Sequence, residues 1–314
     1  MPKRRLIEIR GVATAMEPIH HGGDKTGGNM TEFRRQKIGH GENAAYLPVV
    51  SGNSIAGIMR DNCAWWSLDQ IDFGTFTDLR PFDLLTSGGA LVKTKSDKYI
   101  NTTEERRLRE LLPVISLFGG SVGNRMLEGR IDVDDWLLIC QEYLDRLDPE
   151  YHDEARGVTI YDQMDELNFI RRDDKKSREW QDAIDPDTLA QWQREQADRS
   201  ENEEAERAGG ATSMIFGREV LIAGTRFTVR FVLRNPSDLE LGCFFGGLGY
   251  FYARPKIGGI NSRAHGRVRL QLQQYQITGP GRVEHPLAVE TAEAASAYLR
   301  ENRDEIVQLL GGEA

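Results

Sequence analysis

Residues 256–268 of the 314-residue chain combine glycines with polar and basic side chains. Lys256, Gly258, Gly259, Asn261, Ser262, Arg263, His265, Gly266 and Arg267 all fall in this one short stretch. Glycines let a backbone approach a ligand and turn its amides outward, and arginine offers a fork of donors matched to phosphate oxygens. Taken alone, the stretch is either a phosphate-binding turn or a tight turn with solvated cations. A second set, Ser51, Asn53 and Ser54, precedes Ile55, Ile58, Met59 and Arg60. It reads as a helix capped by Asn53 or Ser54: either an anion site at the positive helix end, with Arg60 helping, or an ordinary core helix. In a third set, His20, His21 and Asp24 stand ahead of the basic residues Arg34, Arg35 and Lys37. Histidine titrates near neutral pH, so this pair is a candidate acid and base for cleaving RNA, which carries its own 2′-hydroxyl nucleophile. Adjacent side chains on an extended segment point to opposite faces, which works against such a dyad. No ligand at suitable spacing completes a metal site with His20, His21 and Asp24.

The net charge is -9, but it is unevenly spread. Residues 141–210 contain 21 acids and 10 bases, leaving the rest of the chain slightly positive. Residues 254–269 carry Arg254, Lys256, Arg263, Arg267 and Arg269 with no acid. Exposed charges are screened beyond about 8–10 Å, so local basic patches can hold a phosphate backbone on an acidic protein. The three cysteines, Cys63, Cys140 and Cys243, are far apart and fit buried thiols in a reducing compartment better than a disulfide framework or zinc site. There is no apolar run of the roughly 20 residues a bilayer requires, and Met1-Pro2-Lys3-Arg4-Arg5 leads into a strand, so a soluble cytoplasmic protein is expected.

The elements that must position these residues follow from period and punctuation. Residues 6–13 alternate apolar and polar, as a half-buried strand does. Residues 18–46 show no period and predict a long ordered loop, a length usually tied to function. Helices are expected over Arg106–Leu117 and over Asp132–Leu147, the latter with Trp136, Ile139, Cys140, Tyr143, Leu144 and Leu147 as its inner stripe. Residues 173–210 are too polar for a core. Strands Ser213–Ile222 and Arg226–Arg234 are expected to pair through a tight hairpin at Ala223-Gly224-Thr225. A helix over Pro236–Tyr252, a strand over His265–Tyr275 and a helix over Thr291–Leu310 complete an α+β pattern.

Four segments resemble the RAMP superfamily of CRISPR-associated proteins, and within it the repeated backbone subunit of class 1 effector complexes. They are Ser51–Arg60, Leu117-Phe118-Gly119-Gly120, Ala223-Gly224-Thr225-Arg226-Phe227, and Gly258-Gly259 through His265-Gly266, in the family's order. Residues 20–27 followed by Phe33–Lys37 look most like the type IV version. The resemblance implies an RRM-like (ferredoxin-like) antiparallel palm with inserted finger and thumb elements. The palm would occupy 1–172 and 213–314, with helical or finger insertions over approximately 69–150, and 173–212 would be a thumb-like insertion. It further implies a structural subunit that binds the crRNA backbone without reading sequence and multimerises along it as a helical filament. Other effector subunits, and target nucleic acid held through the guide, would be its further partners, with no cofactor and no membrane. The expected RNA contacts are His20, His21, Arg34, Arg35, Lys37, Ser51, Asn53, Ser54, Arg60, Arg171, Arg172, Lys256, Gly258, Gly259, Asn261, Ser262, Arg263, His265 and Arg267.

Two enzyme readings stand beside this one. Type III relatives use an aspartate after the first strand for metal-dependent cleavage of target RNA, and alignment on Gly27-Gly28 places Asn29 or Met30 there. An amide lacks the anionic oxygen that Mg²⁺ prefers, which leaves Asp24 as the alternative carboxylate. Processing nucleases of the superfamily would instead use His20 and His21, but they lack the Ser51–Arg60 opening and its Leu117–Gly120 partner. The expectation is a protein without catalytic activity.

Overall fold

Alternation of Ile7 and Ile9 with Glu8 and Arg10 makes the first strand, β1 (Leu6–Ala15), two-faced. The structure, a computed structural model, describes residues 5–23, 30–41, 44–89, 102–122, 125–170, 184–191, 194 and 215–311. In it β1 is the centre of a five-stranded sheet with β7 (Ile131–Val133), β11 (Arg226–Arg234), β12 (Val268–Thr278) and β13 (Gly281–His285), in the order β13-β12-β1-β11-β7. Every neighbouring pair is antiparallel, with Ile9 opposite Phe231 on one side and Gln274 on the other.

Two long helices complete the motif. Helix α1 (Gly52–Gln70) lies between β1 and β7 in the chain, and α7 (Asp238–Ala253) lies between β11 and β12. Numbered along the chain, the four strands other than β13 are therefore arranged 4-1-3-2, the ferredoxin-like order of RRM-type folds, and the expected α+β antiparallel palm is present. Ser237 and Glu240 close a capping box at the start of α7. Phe244 of that helix meets Phe231 of the sheet at 5.4 Å, edge to face. Gly246 and Gly247 let α1 approach closely: a Cβ on Gly247 would lie 2.3 Å from Cys63 Sγ, and one on Gly246 2.2 Å from the Trp66 ring. Ile7, Ile9, Ile55, Met59, Phe227 and Leu233 fill the buried layer, each contributing about 1.5–3 kcal/mol.

Several local expectations are corrected. Residues 132–147 are not a helix but β7, β8 (Trp136–Leu137) and a 3-10 turn (Gln141–Arg146). Trp136, Ile139, Cys140, Tyr143 and Leu147 are nevertheless buried, because a short strand followed by a tight turn can bury the same spacing. The hairpin over 213–234 does not form, since β11 pairs with β1 and β7, while β10 (Ile215–Leu221) joins β2 (Met30–Thr31) and β9 (Met164–Ile170) in another sheet. The helix over 106–117 is two helices, α3 (Thr102–Leu111) and α4 (Pro113–Phe118), because Pro113 starts a new helix more easily than it continues one. The last helix likewise divides into α8 (Thr291–Glu301) and α9 (Arg303–Leu309).

The chain separates into two contact units. The first spans Met1–Gly23, Phe33–Asp165 and Val220–Ala314 and includes the five-stranded sheet. It also holds the ribbon of β3 (Arg35–Ile38) and β4 (Ala45–Val50) and the short helices α2 (Leu79–Thr86), α5 (His152–Ala155) and α6 (Ile160–Gln163). The second spans Asp24–Glu32 and Glu166–Glu219 and contains most of the β2-β10-β9 sheet. Of the segment 173–212, expected from sequence to be a thumb-like insertion, only 184–191 and 194 are described, with 186–191 helical.

Candidate nucleic-acid interface

The C-terminal end of β1 gathers three of the segments singled out by sequence. Beyond Ala15 the chain bends at Met16-Glu17 and stays tied to the loop, with the Met16 N–H donating to Arg267 O at 2.7 Å and the Gly266 N–H to Pro18 O at 2.9 Å. The Gly259 N–H donates to His20 O at 2.7 Å, and the Arg34 N–H to His21 O at 2.7 Å. The glycine-rich stretch, the histidines and the start of the basic cluster are thus laced together through backbone. Gly258, at φ +74, must be glycine because a Cβ would stand 2.4 Å from His20 O. Gly266, at φ +87, would put a Cβ 2.3 Å from Ile257 O. Between them Ile260 and Ala264 also hold positive φ, a conformation that L side chains adopt at a cost, so this loop is folded against local preference.

Charge on this loop is organised by a residue that sequence reasoning missed. Glu17 lies 3.3 Å from Lys256 Nζ and 3.4 Å from Arg267 Nε, and its carboxylate also accepts from the Arg267 N–H. The Lys256 ammonium donates to Asn261 O at 2.6 Å, so Lys256 braces the loop from within. Asn261 Oδ1 is buried without a hydrogen-bond partner among the described residues. Arg263, Arg267 and Ser262 are exposed, and His265 is partly so, with its Nδ1 on Arg263 O. Position at the end of β1 is the one sequence cue for Glu17.

His21 links the loop to α1. Its Nε2 accepts the Ser51 N–H at 3.3 Å, and its ring meets Phe33 edge to face at 6.1 Å. Burial, then the positive field of Arg34 and His20, pushes its pKa down to about 4, against a smaller opposing pull from Asp135. The imidazole is therefore neutral at pH 7, as its acceptor role requires, and is poorly placed to cycle protons there. His20 is itself buried. At the helix start Ser51 makes no side-chain cap; the Gly52 N–H instead donates to Asp135 Oδ1 at 2.7 Å. An internal carboxylate thus takes the position proposed for a phosphate, and Asn53 and Ser54 belong to the first turn, not to the cap. Asp135 is 83 residues away in the chain, so no sequence signal could have found it.

Arg60 is the plainest correction. It is buried, and its guanidinium donates to Leu85 O, Leu84 O and Gly119 O, each at 2.7 Å. Two of the family-like segments meet here, since Gly119 belongs to Leu117-Phe118-Gly119-Gly120. Their shared role is to hold the C-terminal carbonyls of α2 to the turn after α4, which leaves no donor fork facing solvent.

The other face of the sheet contrasts with the loop. Glu8, fully buried, contacts Arg230 at 2.5 Å and Arg282 at 2.7 Å. Arg10, also buried, contacts Asp148 at 2.6 Å and Glu150 at 2.5 Å, with Tyr151 against its guanidinium. RRM domains stack bases on this face with exposed aromatics. Here paired charges and the 141–155 segment occupy it. A separate groove of about 1130 Å³, lined by Glu105, Arg106, Arg109, Glu110 and Arg234 among others, mixes both signs and offers no uniform field for phosphate.

No protein-family model and no curated protein matches the chain. Its fold has a solved counterpart. A chain of the structure described as "Type IV-B CRISPR Complex" is similar at 22% identity, with a TM-score of 0.52, over 93% of this chain and 99% of that one. At this identity the likeness concerns fold. Exposed Arg34 and Lys37 and half-exposed Arg35 extend the cationic surface along β3. Arg171, Arg172, Asp24 and Asn29 lie outside the described residues. Among the described residues no helix is long and apolar enough to cross a membrane, and no group of three or more His, Cys, Asp or Glu is placed to hold a metal.

Proposed function

We propose that this chain is a backbone subunit of a type IV CRISPR effector complex, binding crRNA through sequence-independent phosphate contacts. The observation that carries the reading is the laced loop at the end of β1, with Arg34, Lys37, Arg263 and Arg267 exposed on it and beside it. Four cations on strained or extended backbone, apart from the paired charges of the sheet face, suit a phosphate chain better than a folded protein partner. The fold likeness to a chain of a Type IV-B CRISPR complex supports the assignment. In this reading the protein works without catalysis in the cytoplasm, multimerises along the guide, contacts other effector subunits, and meets target nucleic acid through the guide.

The decisive measurement is light scattering and the 260/280 nm absorbance ratio on protein purified with and without nuclease treatment. A multimer carrying RNA, falling to a smaller species after nuclease, is expected. A nucleic-acid-free monomer indifferent to added RNA overturns the proposal.

A further inference from the structure

Past the point where β4 meets β8, the β3–β4 ribbon is two-stranded and carries an aromatic that packs into no core. Register places Lys37 opposite Tyr46 and Arg35 opposite Pro48, so these four residues share one face. The neighbouring residues Leu47 and Val49 are buried, and the Tyr143 hydroxyl donates to Pro48 O at 3.0 Å, which fixes the ribbon's base. Tyr46, by contrast, is 66% exposed. Lys37 across from it and Arg34 just before the strand are exposed and make no ion pair among the described residues.

We propose that Tyr46 stacks on an unpaired base of the bound RNA while Lys37, across the ribbon, holds an adjoining phosphate. This rests on the RNA-binding reading above and adds a contact to the bases themselves. Directly opposed residues have Cβ atoms about 5 Å apart, so the pair offers a π surface and a cation side by side, as single-stranded nucleic acid offers a flat base and a phosphate. A protein partner fits less well. The same face carries Arg35 and Lys37, and the apolar residue it shares with Tyr46, Pro48, is buried, so the ring stands in no contiguous exposed apolar patch of the ribbon. Stacking on an aromatic accepts every base, so the contact adds affinity without sequence preference.

The test uses the full chain, a 12-nucleotide oligouridine, and an abasic ribose-phosphate strand of equal length. Tyr46→Ala should weaken oligouridine binding about tenfold, leave abasic binding unchanged and keep the salt slope, while Tyr46→Trp restores affinity. Lys37→Ala should weaken both strands and reduce the slope of log K against log salt by about 0.7. Unchanged melting of Tyr46→Ala controls for folding. If Tyr46→Ala binds oligouridine as the parent does while Lys37→Ala still lowers the slope, stacking is overturned and RNA binding stands. If the parent binds neither strand, the underlying reading falls and stacking with it. If Tyr46→Ala keeps its affinity for the short strand but no longer multimerises on long RNA, the ring packs against a second copy and the proposal is overturned.

Discussion

The loop end of β1 and the covered face of the same sheet are both rich in arginine, yet they use it in opposite ways. On the covered face Arg10, Arg230 and Arg282 are matched by Glu8, Asp148 and Glu150, with Glu8 and Arg10 out of solvent. At the loop end one carboxylate, Glu17, touches two cations, and Arg263, Arg267, Arg34 and Lys37 remain exposed. The comparison teaches that a basic count near a motif says little until the carbonyls and carboxylates around each cation are known. Buried guanidinium groups are fixed by desolvation and hydrogen bonding, whereas exposed ones are available to a mobile polyanion.

The largest effect that should separate the two kinds of arginine is at Arg60, which behaves as the covered face does. Arg60→Met should cost about 3–5 kcal/mol, because three carbonyls lose their donor at once. Arg60→Lys should rescue little, since an ammonium cannot span the fork. Urea denaturation measures this, and a loss under about 1 kcal/mol would place Arg60 with the phosphate-binding set instead.

His21 offers the next effect. Its folded pKa of about 4 lies below the unfolded value of about 6.5, so the unfolded chain binds the extra proton first as pH falls. The His21 contribution is complete above about pH 6.5 and is lost progressively toward pH 4, by at most about 3 kcal/mol and less for a ring with partial solvent contact. Melting at pH 7 and pH 5 should show the loss in the parent and a smaller one in His21→Asn. Equal pH dependence in both proteins would break the link between the loop and α1.

The double variant Arg263→Ala, Arg267→Ala should leave stability within about 0.5 kcal/mol of the parent. RNA affinity should fall, and the salt slope should drop by about 1.4 for two lost phosphate contacts on a single strand. A destabilised variant with an unchanged slope would assign these residues to folding. The smallest effect is at Glu17→Gln, which releases Lys256 and Arg267 from a competing carboxylate and should tighten RNA binding by a few-fold at low salt. Weaker binding would make Glu17 chiefly a brace for the loop.

Much of the palm was legible because its long elements have one strong period. Alternation in 6–15, the apolar helix 238–253 and the strand 268–278 each satisfy local preference and burial together. The segment 132–147 misled because a strand, a bend and a 3-10 turn bury the same residues that a helical stripe would. The glycine-rich stretch and its cations were visible from composition, and so was the proximity of basic residues around 34–37.

Sequence alone therefore determined the strands over 6–15, 226–234 and 268–278, the helix over 238–253 and the turn that must be glycine-rich, since those depend on neighbours a few residues away. Only the tertiary structure decided which arginines face inward. Arg60 finds carbonyls 24, 25 and 59 residues distant, and Glu8 finds Arg230 at a separation of 222. The pairing of β11 with β7 across a long stretch of chain, and Asp135 at the start of α1, were decided in the same way. A charge's partner depends on which long-range contacts close around it, and the identity of the side chain does not carry that information.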